Sequence, residues 1–193
     1  PMYDESEASY TSLINSLKER GLKKVLLVVS DAHKGLVAAV RKTLVGSTWQ
    51  RCKVHFMRNI MAHIPSKKKE MFGKRLKQIW LQPDSKSAMQ YANSLMDEYE
   101  SIFPKAIVTL ANGLQDSLQF YHFDKIDSRK IASTNMIERL NREIRRRTNV
   151  VGIFPSLDSY IRLVTSYLIE YSEDWSCGRC YIDQKSIKNY LPY

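Results

Sequence analysis

The sequence predicts an α/β fold that is predominantly helical, and three patterns indicate it. The segment 23–31, KKVLLVVSD, holds five consecutive aliphatic residues between charged ones, which is typical of a strand buried on both faces. Residues 49–56 alternate loosely and add a second candidate strand. From about residue 66 to 125, apolar residues recur at helical spacing almost throughout, with breaks at Pro83 and Pro104.

Helices are predicted on both sides of the first strand. The segment 5–20 has apolar residues at helical spacing and stops at Gly21, and 33–45 carries a similar stripe that Gly46 closes. A third helix is predicted for residues 56–64. Strands buried on both faces belong to sheets covered by helices, so these helices are expected to flank the sheet.

Two further helices are predicted toward the carboxyl terminus. The first covers 134–147, with Ser133 or Thr134 as its cap and a narrow apolar stripe of Ile137, Leu140 and Ile144. The second covers 156–172 and follows a loop, and the chain after Trp175 is weakly patterned.

Composition narrows the class of protein. The chain has 193 residues and 44% hydrophobic residues, which suits one domain, or one domain with an insertion. Its longest apolar runs are far shorter than the roughly 20 residues of a membrane span. A net charge of +10 and a pI near 9.5 suggest a polyanionic partner such as nucleic acid, and composition alone leaves an inert basic surface equally open. Three cysteines indicate a reducing, cytoplasmic location rather than a disulfide framework.

Asp31 is the first candidate for chemistry. It lies just beyond the carboxyl end of the predicted strand 23–31, at the edge where α/β sheets place ligands. A carboxylate at that edge can hold a divalent cation. The alternative is a structural role as the N-cap of the following helix, and position alone leaves both roles open.

Glu138 is the second candidate. At helical spacing it shares a face of the 134–147 helix with Asn141, Arg142 and Arg145, beside the apolar stripe. This position predicts a carboxylate that is partly buried and fixed in direction. The alternative is an ordinary ion pair with Arg142 at i,i+4, worth about 0.2–0.5 kcal/mol.

Basic side chains on two segments suit contacts with nucleic-acid phosphates. The guanidinium fork matches phosphate oxygens, and five arginines fall within nine residues of the helix that carries Glu138: Arg139, Arg142, Arg145, Arg146 and Arg147. A second basic patch consists of Lys67, Lys68 and Lys69. For both sets the alternative is a solvated surface.

Two pairs of residues could supply the four ligands of a structural zinc site. Cys52 and His55 form a C-x-x-H pair, and Cys177 and Cys180 form a C-x-x-C pair. The pairs lie far apart and each spacing occurs by chance, so a packed Cys52 and a hydrogen-bonded His55 are the favoured interpretation. The sequence has no G-x-S-x-G elbow and no glycine-rich phosphate loop.

Three stretches together resemble the Mutator-type transposases of bacterial insertion sequences. They are SDAHKGL (30–36), WQRCKVHFMRN (49–59), and TNMIERLNREIRRRT followed by VVGIFP (134–148 and 150–155). Their order, spacing and wording match that family from about residue 3 to about residue 182. The last motif is long and specific.

The resemblance implies a fold and a chemistry. The family resembles the ribonuclease H-like nucleases, and its members are DDE enzymes. Their three carboxylates hold two metal ions, Mg²⁺ or Mn²⁺, which cut DNA and join the element's 3′ ends to a target. Asp31 matches the second acid and Glu138 the third. Other positions of the family's motifs match as well: Cys52 and His55 of the C-x-x-H signature, and Asn135, Arg139 and Asn141 around Glu138.

The resemblance also implies a domain organisation. Residues 1–56 would form part of a ribonuclease H-like core, 57–130 an all-helical insertion, 131–175 the core-completing helices, and 176–193 a tail. In the family the insertion serves dimerisation or DNA contact. The expected partners are element ends, target DNA, and a second copy or a full-length transposase, and the expected location is the bacterial cytoplasm, at the nucleoid when DNA is bound.

One departure separates this chain from the family pattern. The family's first Asp lies on an earlier strand, whereas only 30 residues precede Asp31 and Asp4 lies outside any strand pattern. We therefore expect the opening strands, the first acid and the N-terminal DNA-binding region to be missing, and this chain alone not to transpose DNA. Two other hypotheses stay open: a non-catalytic DNA-binding remnant, and a nuclease of similar fold, which the motif around Glu138 disfavours.

Overall fold

The computed structural model describes residues 4–177 and 181–190, which fall into two compact units that meet in sequence at Thr134 and Asn135. The first unit contains two strands and seven α-helices among its described residues: α1 (Glu7–Glu19), β1 (Leu27–Ser30), α2 (Lys34–Thr43), β2 (Thr48–Arg51), α3 (Lys53–Met61), α4 (Ser66–Gln78), α5 (Ser85–Tyr99), α6 (Pro104–Ser117) and α7 (Ser128–Ile131). The second unit contains α8 (Asn135–Val151), α9 (Leu157–Cys177) and α10 (Gln184–Lys188). The predicted α/β class with a predominance of helix is confirmed.

The sheet of the first unit is parallel and short. β1 pairs with β2 from Leu27 opposite Thr48 to Ser30 opposite Arg51. The prediction of a strand buried on both faces is wrong, because residues 27–29 are only half-buried in this two-stranded sheet. The predicted strand 49–56 is correct only as far as Arg51, since α3 begins at Lys53.

Helices α1 and α2 pack against each other and against β1, as their apolar stripes predict. Their core consists of Ile14, Ala39 and Val40, with Val28 of the strand packed on it. Each helix is followed by a glycine with positive φ, Gly21 at 102° and Gly46 at 84°. These are the stops that the sequence predicts, because glycine adopts the left-handed conformation without steric cost.

A larger apolar core lies among α3, α4, α5 and α6, and the helices predicted between residues 66 and 125 are confirmed. Pro104 is the first residue of α6, and Pro83 lies before α5. The core side chains that are fully buried include aromatic and aliphatic residues from all four helices: Phe56, Ile60, Phe72, Leu76, Leu95 and Leu110. Phe72 contacts Tyr99 and Phe103 edge to face.

Helix α6 approaches the end of β2 so closely that one of its positions has no room for a side chain. A Cβ added to Gly113 would lie 2.2 Å from Nη1 of Arg51 and 2.7 Å from the ring of Phe56. The guanidinium of Arg51 itself lies over that ring, 4.2 Å from its centroid. The contact fixes the carboxyl end of β2 against the helical core.

The second unit confirms the two helices predicted toward the carboxyl terminus. α8 continues to Val151, four residues beyond the prediction, and Gly152 follows with φ of 74°. No side chain of α8 is buried, and Ile137 of its predicted apolar stripe is 54% exposed. None of the helices in the described part of the chain is long and apolar enough to cross a membrane.

Replacing Gly113 with Ala should destabilise the fold by about 1–3 kcal/mol, because the new methyl group would overlap Arg51 and Phe56. The free energy of unfolding in urea measures the effect. Gly73→Ala in α4 is the matched control, since its Cβ would meet only the flexible end of Met61, at 3.1 Å. Equal stability of Gly113→Ala and the unsubstituted chain would contradict the close packing.

Candidate active site and nucleic-acid surface

The carboxyl edge of the sheet brings Asp31 next to the residues that follow β2. Because the strands are parallel, both end at this edge, and the backbone N–H of Cys52 donates to the carbonyl of Ser30 at 2.6 Å. Asp31 is exposed, and no hydrogen bond or ion pair within the described residues engages its carboxylate. The N-cap alternative is wrong, since the N-cap of α2 is His33 and no side chain caps that helix.

Three residues that the sequence did not single out lie near Asp31. Nε2 of His33 lies 3.5 Å from the Glu5 carboxylate, and its ring lies 5.7 Å from that of Tyr10. Burial raises the pKa of Tyr10, and the negative charges of Glu5 and Asp31 raise it further. Glu5, Tyr10 and His33 therefore form a cluster of ionisable side chains beside the carboxyl end of β1. Spacing gives no signal for it, because Glu5 and Tyr10 come from the segment around α1.

The chain just before α8 is tied to the same edge. The thiol of Cys52 is fully buried and accepts hydrogen bonds from the backbone N–H and the hydroxyl of Thr134, both at 3.4 Å. The N–H of Lys53 donates to the carbonyl of Ala132 at 3.0 Å. Cys52 is thus the packed residue that the sequence analysis favours, and its neighbour His55 is half-buried in the first turn of α3.

Helix α7 leads directly into the segment 132–134 that is bound to Cys52 and Lys53. Asp127 is its N-cap and accepts from the N–H and the guanidinium of Arg129, at 2.9 and 2.7 Å. These hydrogen bonds lower the pKa of the Asp127 carboxyl to about 2. The last turn of α7 then leads directly into Ala132 and Thr134.

A buried network of hydrogen bonds holds β2 against the end of α6 and the residues that follow it. Gln50 is fully buried, donates to the carbonyl of Ser117 at 2.8 Å and accepts from the N–H of Phe120 at 2.7 Å. Ser117 in turn accepts from the indole N–H of Trp80 at 3.0 Å. The sequence analysis missed Gln50 as a positioning residue, because a glutamine between Trp49 and Arg51 gives no local signal of burial.

Glu138 lies in the first turn of α8 and is half-buried, as the sequence predicts. Asn135 is the first residue of the helix, and both it and Asn141 are exposed. The alternative ion pair is not formed, because Arg142 makes none within the described residues. Asp31 and Glu138 belong to different compact units.

The arginines of α8 differ in their surroundings. The guanidinium of Arg147 lies 4.1 Å from the centroid of the Tyr167 ring and 3.6 Å from the carboxylate of Glu170. Arg146 forms a 2.9 Å ion pair with Glu143. By contrast, the exposed Arg139, Arg142 and Arg145 have no such partner in the part of the chain that the structure covers.

The lysine patch occupies the first turn of α4. Lys67, Lys68 and Lys69 are all exposed, this turn has no acidic residue, and no side chain caps the helix. The positive end of the helix dipole lies at the same place, so the patch costs helix stability unless an anion is present. Lys68 also lies 5.6 Å from the centroid of the Phe103 ring.

The donor set can be tested against a divalent cation. An exposed carboxylate with no competing partner, such as Asp31, suits Mg²⁺, which binds one or two carboxylates together with substrate phosphates. Among residues 4–177 and 181–190, no three His, Cys, Asp or Glu side chains converge on a common point. The zinc hypothesis falls partly outside this region, because Cys180 and the side chain of Cys177 are not among the described residues.

Comparison with known proteins gives a consistent result. The sequence profile of the family described as "Transposase, Mutator family" matches residues 2–178. The chain is 41% identical over 173 residues to a transposase for insertion sequence element IS256 in transposon Tn4001 of Staphylococcus aureus, covering 89% of the chain and 44% of the relative. It is 42% identical over 178 residues to the transposase for IS1081 of Mycobacterium tuberculosis, covering 92% and 43%. The chain therefore spans less than half the length of these relatives.

The Asp127 carboxyl should titrate at about 2, below its ordinary value of 3.8. A lowered pKa means that the charged cap stabilises α7 above about pH 4, and that this contribution is lost as the pH falls toward 2. Arg129→Ala should return the midpoint toward 3.8, as measured by NMR of the side-chain carboxyl. Asp84, the N-cap of α5, is the control and should not change. An unchanged Asp127 midpoint in Arg129→Ala would contradict the assignment.

Proposed function

The chain belongs to the Mutator family of transposases, and from this premise we propose that it carries the second and third acids of a DDE site for DNA cleavage and strand transfer. Asp31 is the second acid and Glu138 the third. The observation that carries the proposal is the exposed Asp31 carboxylate at the carboxyl edge of the sheet, which no hydrogen bond or ion pair engages within the described residues.

The proposed cofactor is Mg²⁺ or Mn²⁺, held by the carboxylates of Asp31 and Glu138. When bound, such ions activate an attacking oxygen and stabilise a leaving one in phosphoryl transfer. The protein's own contribution is to hold both carboxylates in place: β1 and α2 flank Asp31, and the first turn of α8 fixes Glu138. The buried contacts of Gln50 hold β2 against the end of α6 and so keep the sheet edge at which Asp31 lies in place.

We further propose that the parallel pair β1 and β2 is part of a ribonuclease H-like core, into which the helical segment 57–130 is inserted. The family membership supports this assignment, and the order of strand, helix and strand is compatible with it. Within the described residues the sheet has two strands, and none of their residues is assigned as the first acid. The predicted association with a second copy or a full-length transposase belongs to the same proposal.

DNA is the proposed substrate, and two surfaces support it. The exposed arginines of α8 lie on the helix that bears Glu138, and the exposed lysines of α4 form a separate patch. Guanidinium groups suit bidentate contacts with phosphates, whereas lysines act as point charges. Binding should therefore weaken steeply with salt, because phosphate contacts release counterions.

Manganese binding tests the shared site directly. We expect Asp31→Asn and Glu138→Gln each to weaken Mn²⁺ binding about tenfold or more, about 1.4 kcal/mol, as measured by electron paramagnetic resonance titration. The double variant should lose little beyond either single one, because both groups serve one ion. Asp158→Asn in α9 is the control. If only one of the two variants changed Mn²⁺ affinity, the shared site would be wrong.

Strand transfer tests the chemistry. The purified chain, incubated with Mg²⁺ or Mn²⁺ and labelled element ends, should give no joined product above background, because it supplies two of the three acids. Joining that is lost in Asp31→Ala and Glu138→Ala would refute this expectation. DNA binding without Mn²⁺ binding would instead favour the non-catalytic remnant.

A further inference from the structure

Arg147 is built into the packing of the second unit. Its guanidinium covers the ring of Tyr167, which is only 8% exposed, and its Nη1 faces the Glu170 carboxylate at 3.6 Å. Tyr167 belongs to α9, so this contact joins α8 to α9. The Arg147 side chain is 45% exposed, and a DNA phosphate that bound it would compete with both of these partners for the guanidinium.

Arg142 and Arg145 have the opposite surroundings. Both are exposed, and neither guanidinium takes part in an ion pair, hydrogen bond or ring contact within the described residues. They follow Glu138 at i+4 and i+7, so all three residues lie on one face of α8. Along the axis they stand about 6 Å and about 10.5 Å from Glu138.

These distances along α8 can be compared with the spacing of phosphates in a DNA strand. One strand carries a phosphate about every 3.4 Å of duplex rise, so with α8 parallel to the duplex axis the distance from Glu138 to Arg145 would correspond to about three nucleotide steps. Both arginines lie on the same side of Glu138, toward the end of α8. A backbone that followed this face would meet the acid first and the two guanidinium groups after it.

We propose that one DNA backbone runs along this face of α8, with Arg142 and Arg145 on phosphates to one side of the phosphate that Glu138 serves. Arg147 is then a packing residue between α8 and α9 and makes no phosphate contact. Arg146 is intermediate between the unpaired Arg142 and Arg145 and the packed Arg147. Its exposed ion pair with Glu143 can be replaced by a contact with a phosphate. The inference rests on the proposed function in that it takes DNA as the ligand.

The salt dependence of DNA binding separates these roles. In fluorescence anisotropy with a duplex of an element end, Arg142→Ala and Arg145→Ala should each reduce the slope of log K against log salt by about 0.9, because each removes one phosphate contact. Arg147→Met should leave the slope unchanged. Methionine keeps an apolar stem over Tyr167, and circular dichroism confirms that the variant is folded before its slope is used.

Neutral phosphates locate the contacts. Methylphosphonate substitution at one position of the duplex removes one charge, and the positions that matter for Arg142 and Arg145 should lie on the same strand and the same side of the cleavage site. The loss of affinity at each such position should vanish in the corresponding arginine variant.

Several results would overturn the inference. A slope reduced by about 0.9 in Arg147→Met, unchanged slopes in Arg142→Ala and Arg145→Ala, or sensitive phosphates on opposite sides of the cleavage site would each do so. Failure of the unsubstituted chain to bind DNA would contradict the proposed function itself. DNA binding with the wrong pattern of slopes would contradict only the path along α8.

Discussion

The carboxyl edge of the sheet depends on one buried amide. Gln50 is fully buried, and a buried amide that loses a partner costs about 1–3 kcal/mol. Its amide nitrogen donates to the carbonyls of Arg51 and Ser117, and its oxygen accepts from Phe120. These hydrogen bonds fix β2 against the end of α6, so the strand that precedes Cys52 is held rigidly to the helical core. The positions of Cys52, Lys53 and the junction before α8 follow from it.

The sequence predicts those features that depend on local patterns. The aliphatic run before Asp31, the helical spacings and the stops at Gly21 and Gly46 all involve neighbours within a few residues. The structure has a strand, helices and glycine stops at these places, although the strand is shorter and less buried than predicted. The sequence could not predict that Gln50 meets residues 67 and 70 positions away, or that Cys52 accepts from a residue 82 positions away. Such contacts arise only when the helical core has folded, and no periodicity encodes them.

The candidate site shows the same division. The position of Asp31 at the sheet edge follows from a general rule about parallel strands. The cluster of Glu5, Tyr10 and His33, by contrast, depends on how α1 packs against α2. The strand assignment of 49–56 fails for a related reason. Alternation continues past Arg51, but the thiol and N–H of Cys52 are used by Thr134 and Ser30, and the chain turns into α3.

The distribution of charge argues against an inert basic surface. Several basic residues of the first unit are neutralised locally: Lys42 by Glu7, Lys74 by Glu70 and Arg75 by Glu98. The positive charges left without such partners in the described residues include two compact sets, the arginines on the Glu138 face of α8 and the lysines in the first turn of α4. In that turn the lysines oppose the helix dipole, so they reduce helix stability in the absence of an anion. A general role in solubility would not require charge at the position where it costs most. A polyanion bound at the first turn of α4 would remove that cost, so the proposed DNA substrate accounts for the position of these charges as well as their number.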